Sequence, residues 1–113
     1  MSAITTHILD ISSGSPARGV AVTLGRQTET DWEIIGNGVT DDDGRVRDLL
    51  DSNAILQTGN YRLTFDTGTY FAELQIEAFY PQVTVAFTVH DTAQHYHVPL
   101  LLSPFGYSTY RGS

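Results

Sequence analysis

The amino-acid sequence predicts an all-β fold, an antiparallel sandwich or barrel. Apolar and polar residues alternate with a period of two along most of the chain, which is the pattern of half-buried strands. Clusters of glycine, proline, serine and aspartate separate these stretches at regular intervals, and only one stretch has helical spacing. Seven or eight short strands with at most one helix are typical of both architectures.

Three of the strands lie in the N-terminal half of the chain. Alternation predicts strands over residues 4–9, 20–25 and 32–40. In the first of them, His7 lies on the face opposite the isoleucines. The third runs into Asp-Asp-Asp-Gly at residues 41–44, which predicts a tight turn because aspartate and glycine favour turn conformations.

The C-terminal half contains the remaining elements. Alternation predicts four more strands, over residues 61–66, 83–90, 95–102 and 107–110. Between them, apolar residues at helical spacing predict one short helix of about two turns within residues 69–77. Pro99 interrupts one strand, and because proline has no N–H to donate, we expect this strand at an edge or at a bulge.

Composition excludes several function classes. The 113 residues include six arginines but no lysine and no cysteine, and the net charge is −7. Thiol chemistry, thiolate metal sites and lysine Schiff bases are therefore excluded. A chain with this charge repels nucleic acid. Because neither an export signal nor a membrane-spanning segment is present, we expect a soluble, cytoplasmic protein with a single domain over residues 1–113.

Histidine supplies the most informative pattern. His95 and His97 are two residues apart on a predicted strand, so both imidazoles project from the same face. Together with His7 they could form a three-histidine zinc site, or they could activate water without a metal. They could also be surface histidines, because a pair with this spacing is weak evidence.

Arginine is the second candidate for chemistry. Arg45 directly follows the predicted turn, and Arg111 lies close to the end of the sequence. The guanidinium group offers a planar fork of donors that suits carboxylates and the amide edges of small heterocycles. The aspartates before Arg45 lack the spacing of a calcium-binding loop, so we interpret them as part of the turn.

Five segments of the sequence carry a resemblance to a known family: residues 5–10, 14–20, 40–45, 95–104 and 107–113. They resemble the transthyretin-related 5-hydroxyisourate hydrolases, and the similarity runs from end to end. The most specific of them is the C-terminal Tyr-Arg-Gly-Ser, residues 110–113, which is diagnostic of the hydrolases and absent from the hormone carrier transthyretin.

The resemblance implies a transthyretin-like antiparallel sandwich of two four-stranded sheets with one short helix. It also implies a homotetramer with its sites at the dimer–dimer interface. The implied reaction is hydrolysis of a cyclic amide: 5-hydroxyisourate is opened to 2-oxo-4-hydroxy-4-carboxy-5-ureidoimidazoline during urate degradation, without metal or organic cofactor. The alternative is a non-catalytic carrier of a small ligand that uses the same channel.

The resemblance also implies which residues act. The family's substrate-binding positions match His7, Arg45, His97, Tyr110, Arg111 and Ser113. The catalytic residues among these are His7, Arg45 and His97. In this scheme the two histidines position and deprotonate water, while Arg45 binds the heterocycle and stabilises the developing oxyanion. Tyr110 and Ser113 shape or close the pocket.

Overall fold

The computed structural model describes residues 2–51 and 53–113 and is built from two facing β-sheets. Along the chain the elements are β1 (Ile4–Asp10), β2 (Ser15–Pro16), β3 (Ala21–Gln27), β4 (Trp32–Val39), β5 (Arg45–Val46), β6 (Gly59–Phe65), α1 (Thr67–Glu73), β7 (Val83–Val89), β8 (Tyr96–Ser103) and β9 (Gly106–Thr109). The predicted all-β sandwich with one short helix is therefore confirmed.

The first sheet has five strands and the second has four. In the first sheet the order is β2-β1-β8-β9, and β5 also pairs with β1. In the second sheet the order is β4-β3-β6-β7. The first sheet exceeds the expected four strands because the two-residue strands β2 and β5 pair with different parts of β1. Strands this short leave almost no alternation in the sequence.

One pair of strands is parallel, whereas the other strand pairs of the sandwich are antiparallel. Strands β1 and β8 run in the same direction, in continuous register from Ile4 opposite Tyr96 to Asp10 opposite Leu102. Parallel neighbours require a long connection, and here the connection includes the whole second sheet. Alternation identifies strands but does not reveal the direction of such distant partners.

Pro99 lies in a central strand, so the prediction of an edge or a bulge is wrong. Strand β8 has β1 on one side and β9 on the other, and its register with β1 has no shift. The amide of Tyr96 donates to Ala3, so even-numbered residues of β8 face β1 and Pro99 faces the other way. Pairing with β9 begins only at Leu100, and beyond Pro99 an isolated bridge joins His97 to Gly112. Pro99 therefore leaves the ladder with β1 complete, and its missing donor falls in the gap between these two pairings.

The helix exists as predicted but is displaced towards the N-terminus. It begins at Thr67, two residues before the predicted stretch, because the side chain of Asp66 caps it by accepting a hydrogen bond from the amide of Thr69 at 3.3 Å. It ends at Glu73, and Gln75 follows with a positive φ of 59°.

No helix among residues 2–51 and 53–113 is long and apolar enough to cross a membrane.

The hydrophobic core lies between the two sheets. Its largest completely buried side chains include Ile4, Ile8, Leu24, Tyr61, Leu63, Phe65, Phe71 and Leu100. The predicted face of β1 is confirmed, since its isoleucines point into this core. His7, which is half-buried, therefore points to the outer face of the first sheet.

Candidate functional site

Three strands bring the predicted residues together on the outer face of the first sheet. Strand β1 contributes Thr5 and His7, which are two residues apart and therefore project from the same face. Strand β5 places Arg45 directly opposite His7. On the other side of β1, strand β8 places His97 opposite Thr5. Residues that are about 90 positions apart in the sequence thus become neighbours.

The turn before β5 fixes the position of Arg45. Asp41 accepts hydrogen bonds from the amides of Asp43 at 2.9 Å and Arg45 at 3.0 Å. Gly44 has a positive φ of 74°, and a Cβ at this position would lie 2.4 Å from the carbonyl oxygen of Ile8. Only glycine satisfies both conditions. The turn predicted at residues 41–44 is therefore confirmed.

A cavity of about 300 Å³ lies beside these strands. We call it the His–Arg cavity; its lining residues are Thr5, Thr6, Arg45, Arg47, His95, His97 and Ser113. Its volume is at the lower end of the range for small-molecule sites. Two of the six arginines of an acidic chain line this cavity, so it is locally basic and suits a small, polar or anionic heterocycle.

The surroundings of His97 favour its uncharged form. Partial burial lowers the pKa of its imidazole, and the neighbouring groups Arg45, His95 and His7 lower this pKa further. Both effects disfavour a positive charge, the first by desolvation and the second by repulsion. A neutral imidazole has a free lone pair, so His97 can accept a proton near neutral pH.

Several contacts orient the His97 side chain. Its Nδ1 lies 2.8 Å from the hydroxyl of Thr5, and the same hydroxyl lies 3.1 Å from Nε2 of His95. The two imidazole rings are nearly parallel, with centroids 6.4 Å apart. At the end of the chain, the amide of Gly112 donates to the carbonyl oxygen of His97 at 2.8 Å, which brings Ser113 into the His–Arg cavity.

Tyr110 and Arg111 lie outside the His–Arg cavity. Both line a second cavity of about 440 Å³, which shares only His97 with the His–Arg cavity. The guanidinium of Arg111 lies 4.6 Å from the centroid of the Tyr96 ring and donates a hydrogen bond of 2.8 Å to Gln94. Of the six predicted residues, Arg45, His97 and Ser113 thus line the His–Arg cavity. His7 lies next to it, opposite Arg45, and the other two are separate.

The histidines do not form a metal site. Within the part of the chain that the structure describes, no group of three or more histidine, cysteine, aspartate or glutamate side chains is arranged to hold a metal ion. The hydroxyl of Thr5 occupies the space between His95 and His97. The three-histidine zinc alternative therefore gains no support from the geometry.

Sequence reasoning missed Thr6 of the His–Arg cavity and also two residues with a same-face signal, Thr5 and Arg47. Each lies two positions from a predicted residue, Thr5 from His7 and Arg47 from Arg45. In extended chain this spacing places side chains on the same face. The same alternation that identified the strands was therefore sufficient to nominate both residues.

Comparison with known proteins now adds the family. The sequence model described as the HIUase/Transthyretin family matches residues 4–112. The chain belongs to this family. A protein of Caenorhabditis elegans named probable 5-hydroxyisourate hydrolase is 50% identical over 112 residues, which cover 99% of this chain and 82% of that protein. The 5-hydroxyisourate hydrolase of Mus musculus is 46% identical over 114 residues, which cover 99% of this chain and 96% of that protein.

Solved structures of the HIUase/transthyretin family share the fold. The 5-hydroxyisourate hydrolase of Klebsiella pneumoniae superposes with a TM-score of 0.85 at 43% identity, covering 97% of this chain and 98% of that chain. Sea bream transthyretin in complex with thyroxine superposes with a TM-score of 0.91 at 34% identity, covering 98% of this chain and 95% of that chain. Because both types of protein share this fold, the function must be argued from the site.

Proposed function

We propose that this chain is a 5-hydroxyisourate hydrolase, which adds water to a cyclic amide and opens the ring to 2-oxo-4-hydroxy-4-carboxy-5-ureidoimidazoline. The observation that carries the proposal is the His–Arg cavity, where a neutral His97 lies beside Arg45. The relatives at 46–50% identity that bear this enzyme's name support the choice of substrate.

In the proposed mechanism, His97 is the general base. It accepts a proton from a water molecule that His7 helps to position, and the water oxygen attacks a ring carbonyl. The protonated His97 then returns its proton to the departing ring nitrogen, and the new carboxyl group ionises. The lowered pKa of His97 supports this role because it keeps the imidazole unprotonated. General base catalysis typically contributes about 10²- to 10⁴-fold.

Arg45 is the proposed electrophilic group. Its planar donors match the oxygen and nitrogen edge of a flat heterocycle, and its charge stabilises the oxyanion that forms during attack. The hydrogen-bonded turn before it supports this role, because a preorganised donor does not have to be ordered during the reaction. Arg47 adds a second positive charge to the same cavity.

The C-terminal residues are proposed to bind substrate from two sides. Ser113 lines the His–Arg cavity itself. Tyr110 and Arg111 line the adjoining cavity and would shape the wall near His97, which borders both cavities. No metal or organic cofactor takes part in this proposal, so dialysis against a chelator should leave the activity unchanged; loss of activity that zinc restores would contradict it.

We propose further that the chain is one domain over residues 1–113 and acts as a cytoplasmic homotetramer with its sites at the dimer–dimer interface. The position of the His–Arg cavity on an outer sheet face supports this assembly, because a facing subunit would close the cavity. The absence of cysteine is compatible with a reducing compartment. Sedimentation should give the mass of four 12.4-kDa chains; a monomer would contradict the tetramer.

The function is tested with freshly generated 5-hydroxyisourate, whose absorbance decays as the ring opens. The protein should accelerate this decay catalytically, at concentrations far below that of the substrate. Arg45→Ala should lose most of the acceleration, whereas Arg18→Ala, which removes an exposed arginine paired with Asp42, should keep it. Saturable binding of a small ligand without acceleration would instead favour a carrier, to which the similarity with sea bream transthyretin points.

A further inference from the structure

The hydroxyl of Thr5 bridges the imidazoles of His95 and His97. We propose that Thr5 is a positioning residue that fixes the tautomer and the orientation of His97. In this arrangement the hydroxyl of Thr5 accepts a hydrogen bond from His97 and donates one to His95. The inference rests on the proposed function, because it gives His97 the role of base. It assigns a task to Thr5 and His95, two groups that the mechanism above does not use.

The bridge is built into the first sheet. Thr5 is only 6% exposed and lies on β1, opposite His97 on β8. Its Oγ1 is 2.8 Å from Nδ1 of His97 and 3.1 Å from Nε2 of His95. A β-branched side chain in a strand has restricted rotamers. The hydroxyl is therefore held between the two rings by the backbone ladder.

Counting protons gives the consequence of the bridge. A hydroxyl donates one hydrogen bond, so Thr5 donates to one ring and accepts from the other. When Nδ1–H of His97 donates to Thr5, and Thr5 donates to Nε2 of His95, the Nε2 lone pair of His97 is free for water. In the reverse direction Nε2 of His97 carries the proton, and this ring is no longer a base.

The charges around the bridge oppose a second proton on His97. This ring is surrounded by His7 from β1, by Arg45 and Arg47 from the β5 segment, and by His95. Burial, together with repulsion from Arg45, His95 and His7, lowers the pKa of the His97 imidazole. The neutral ring is the form in which Nδ1–H can donate to Thr5 while Nε2 stays free.

Gly112 confines the other side of the His97 ring. A Cβ at this position would lie 2.6 Å from Cδ2 and 3.3 Å from Cγ of His97. The backbone of Gly112 thus passes closely against the ring while its amide binds the carbonyl of His97. Thr5 holds one nitrogen of the ring, Gly112 limits its rotation, and Nε2 is the nitrogen left for catalysis.

The kinetic test compares two substitutions of Thr5. Thr5→Val keeps the shape and removes the hydroxyl, so kcat should fall about tenfold, the effect of one hydrogen bond of ordinary net strength, with little change in KM. Thr5→Ser keeps the hydroxyl and should stay within about threefold of the wild type. Thr64→Val, a matched control on the second sheet, should match the wild type. Equal kcat values for Thr5→Val and wild type would overturn the proposal.

A spectroscopic test does not depend on activity. Two-bond ¹H–¹⁵N correlations of ¹⁵N-histidine-labelled protein distinguish the two tautomers of each ring. In the wild type, His97 and His95 should both carry their proton on Nδ1, and in Thr5→Val the His97 ring should lose this preference. A wild-type His97 protonated at Nε2 would refute the inference. A wild type with the expected tautomers but no hydrolase activity would refute the proposed function alone.

Discussion

Substitution of Gly112 by alanine is expected to disable the site while leaving the fold intact. The added Cβ would lie 2.6 Å from Cδ2 of His97, whereas ordinary contacts begin at 3.4 Å. The methyl group and the ring must therefore separate by about 0.8 Å. The methyl group cannot simply move away from the ring, because Cγ of Pro99 would already lie only 3.1 Å from it. Either the imidazole moves away from its catalytic position, or the C-terminal segment moves and withdraws Ser113 from the cavity.

A displacement of about 1 Å in a catalytic group can lower a rate by about 100-fold, so kcat of Gly112→Ala should fall by about this factor. The assay is the decay of 5-hydroxyisourate, combined with thermal unfolding to verify the fold. Gly25→Ala is the matched control, because its Cβ would meet its neighbours at ordinary distances of 3.6–3.7 Å. If Gly112→Ala retained wild-type kcat, the reasoning that close packing fixes His97 would be refuted.

Two further predictions follow from pKa shifts. Burial and nearby groups lower the pKa of His97, so the neutral base persists in more acidic solution. In the pH profile of kcat/KM, the midpoint of the acidic limb should therefore lie below pH 6.5. A midpoint above pH 6.5 would contradict this role of His97. The second prediction concerns the carboxyl group of Asp10. Burial raises its pKa, but hydrogen bonds from the side chains of Ser12 and Tyr70 and from the amides of Ser12 and Ser13 outweigh this effect. The pKa of the carboxyl is therefore lowered below 3.8. This carboxylate therefore stabilises the fold above its unfolded pKa, and the stabilisation is lost as pH falls through the lowered value. Tyr70→Phe, which removes a 2.8 Å bond to Asp10, should lower the free energy of unfolding in urea by about 2 kcal/mol at pH 7, and equal stabilities would refute the role of this bond.

The sequence was sufficient for the seven longer strands and for the faces they present, but not for the two-residue strands β2 and β5. Alternation placed Ile4 and Ile8 in the core and His7 outside, because a strand exposes successive side chains to opposite environments. It could not predict that β1 and β8 are parallel, since direction depends on a partner that is distant in the sequence. Nor could it place Pro99 in a central strand, because that placement depends on the register of two neighbouring strands.

The candidate site was predictable in part for similar reasons. The resemblance nominated His7, Arg45 and His97, and the pairing of three strands explains why they meet. It grouped Arg111 with them, but beyond β9 the chain continues along β8 in the same register, so that Gly112 pairs with His97, and the neighbouring arginine stacks on Tyr96 instead. The path of these last residues is a tertiary feature that no periodicity encodes.

The central claim is that His97 acts as a base in hydrolysis of 5-hydroxyisourate. Its most direct test is the ratio of kcat/KM between the wild type and His97→Ala, measured in parallel on freshly generated substrate. We predict that the wild type accelerates ring opening and that the variant loses about 10²- to 10⁴-fold of this acceleration, the usual contribution of a general base. A His97→Ala protein with the same kcat/KM as the wild type would contradict the claim.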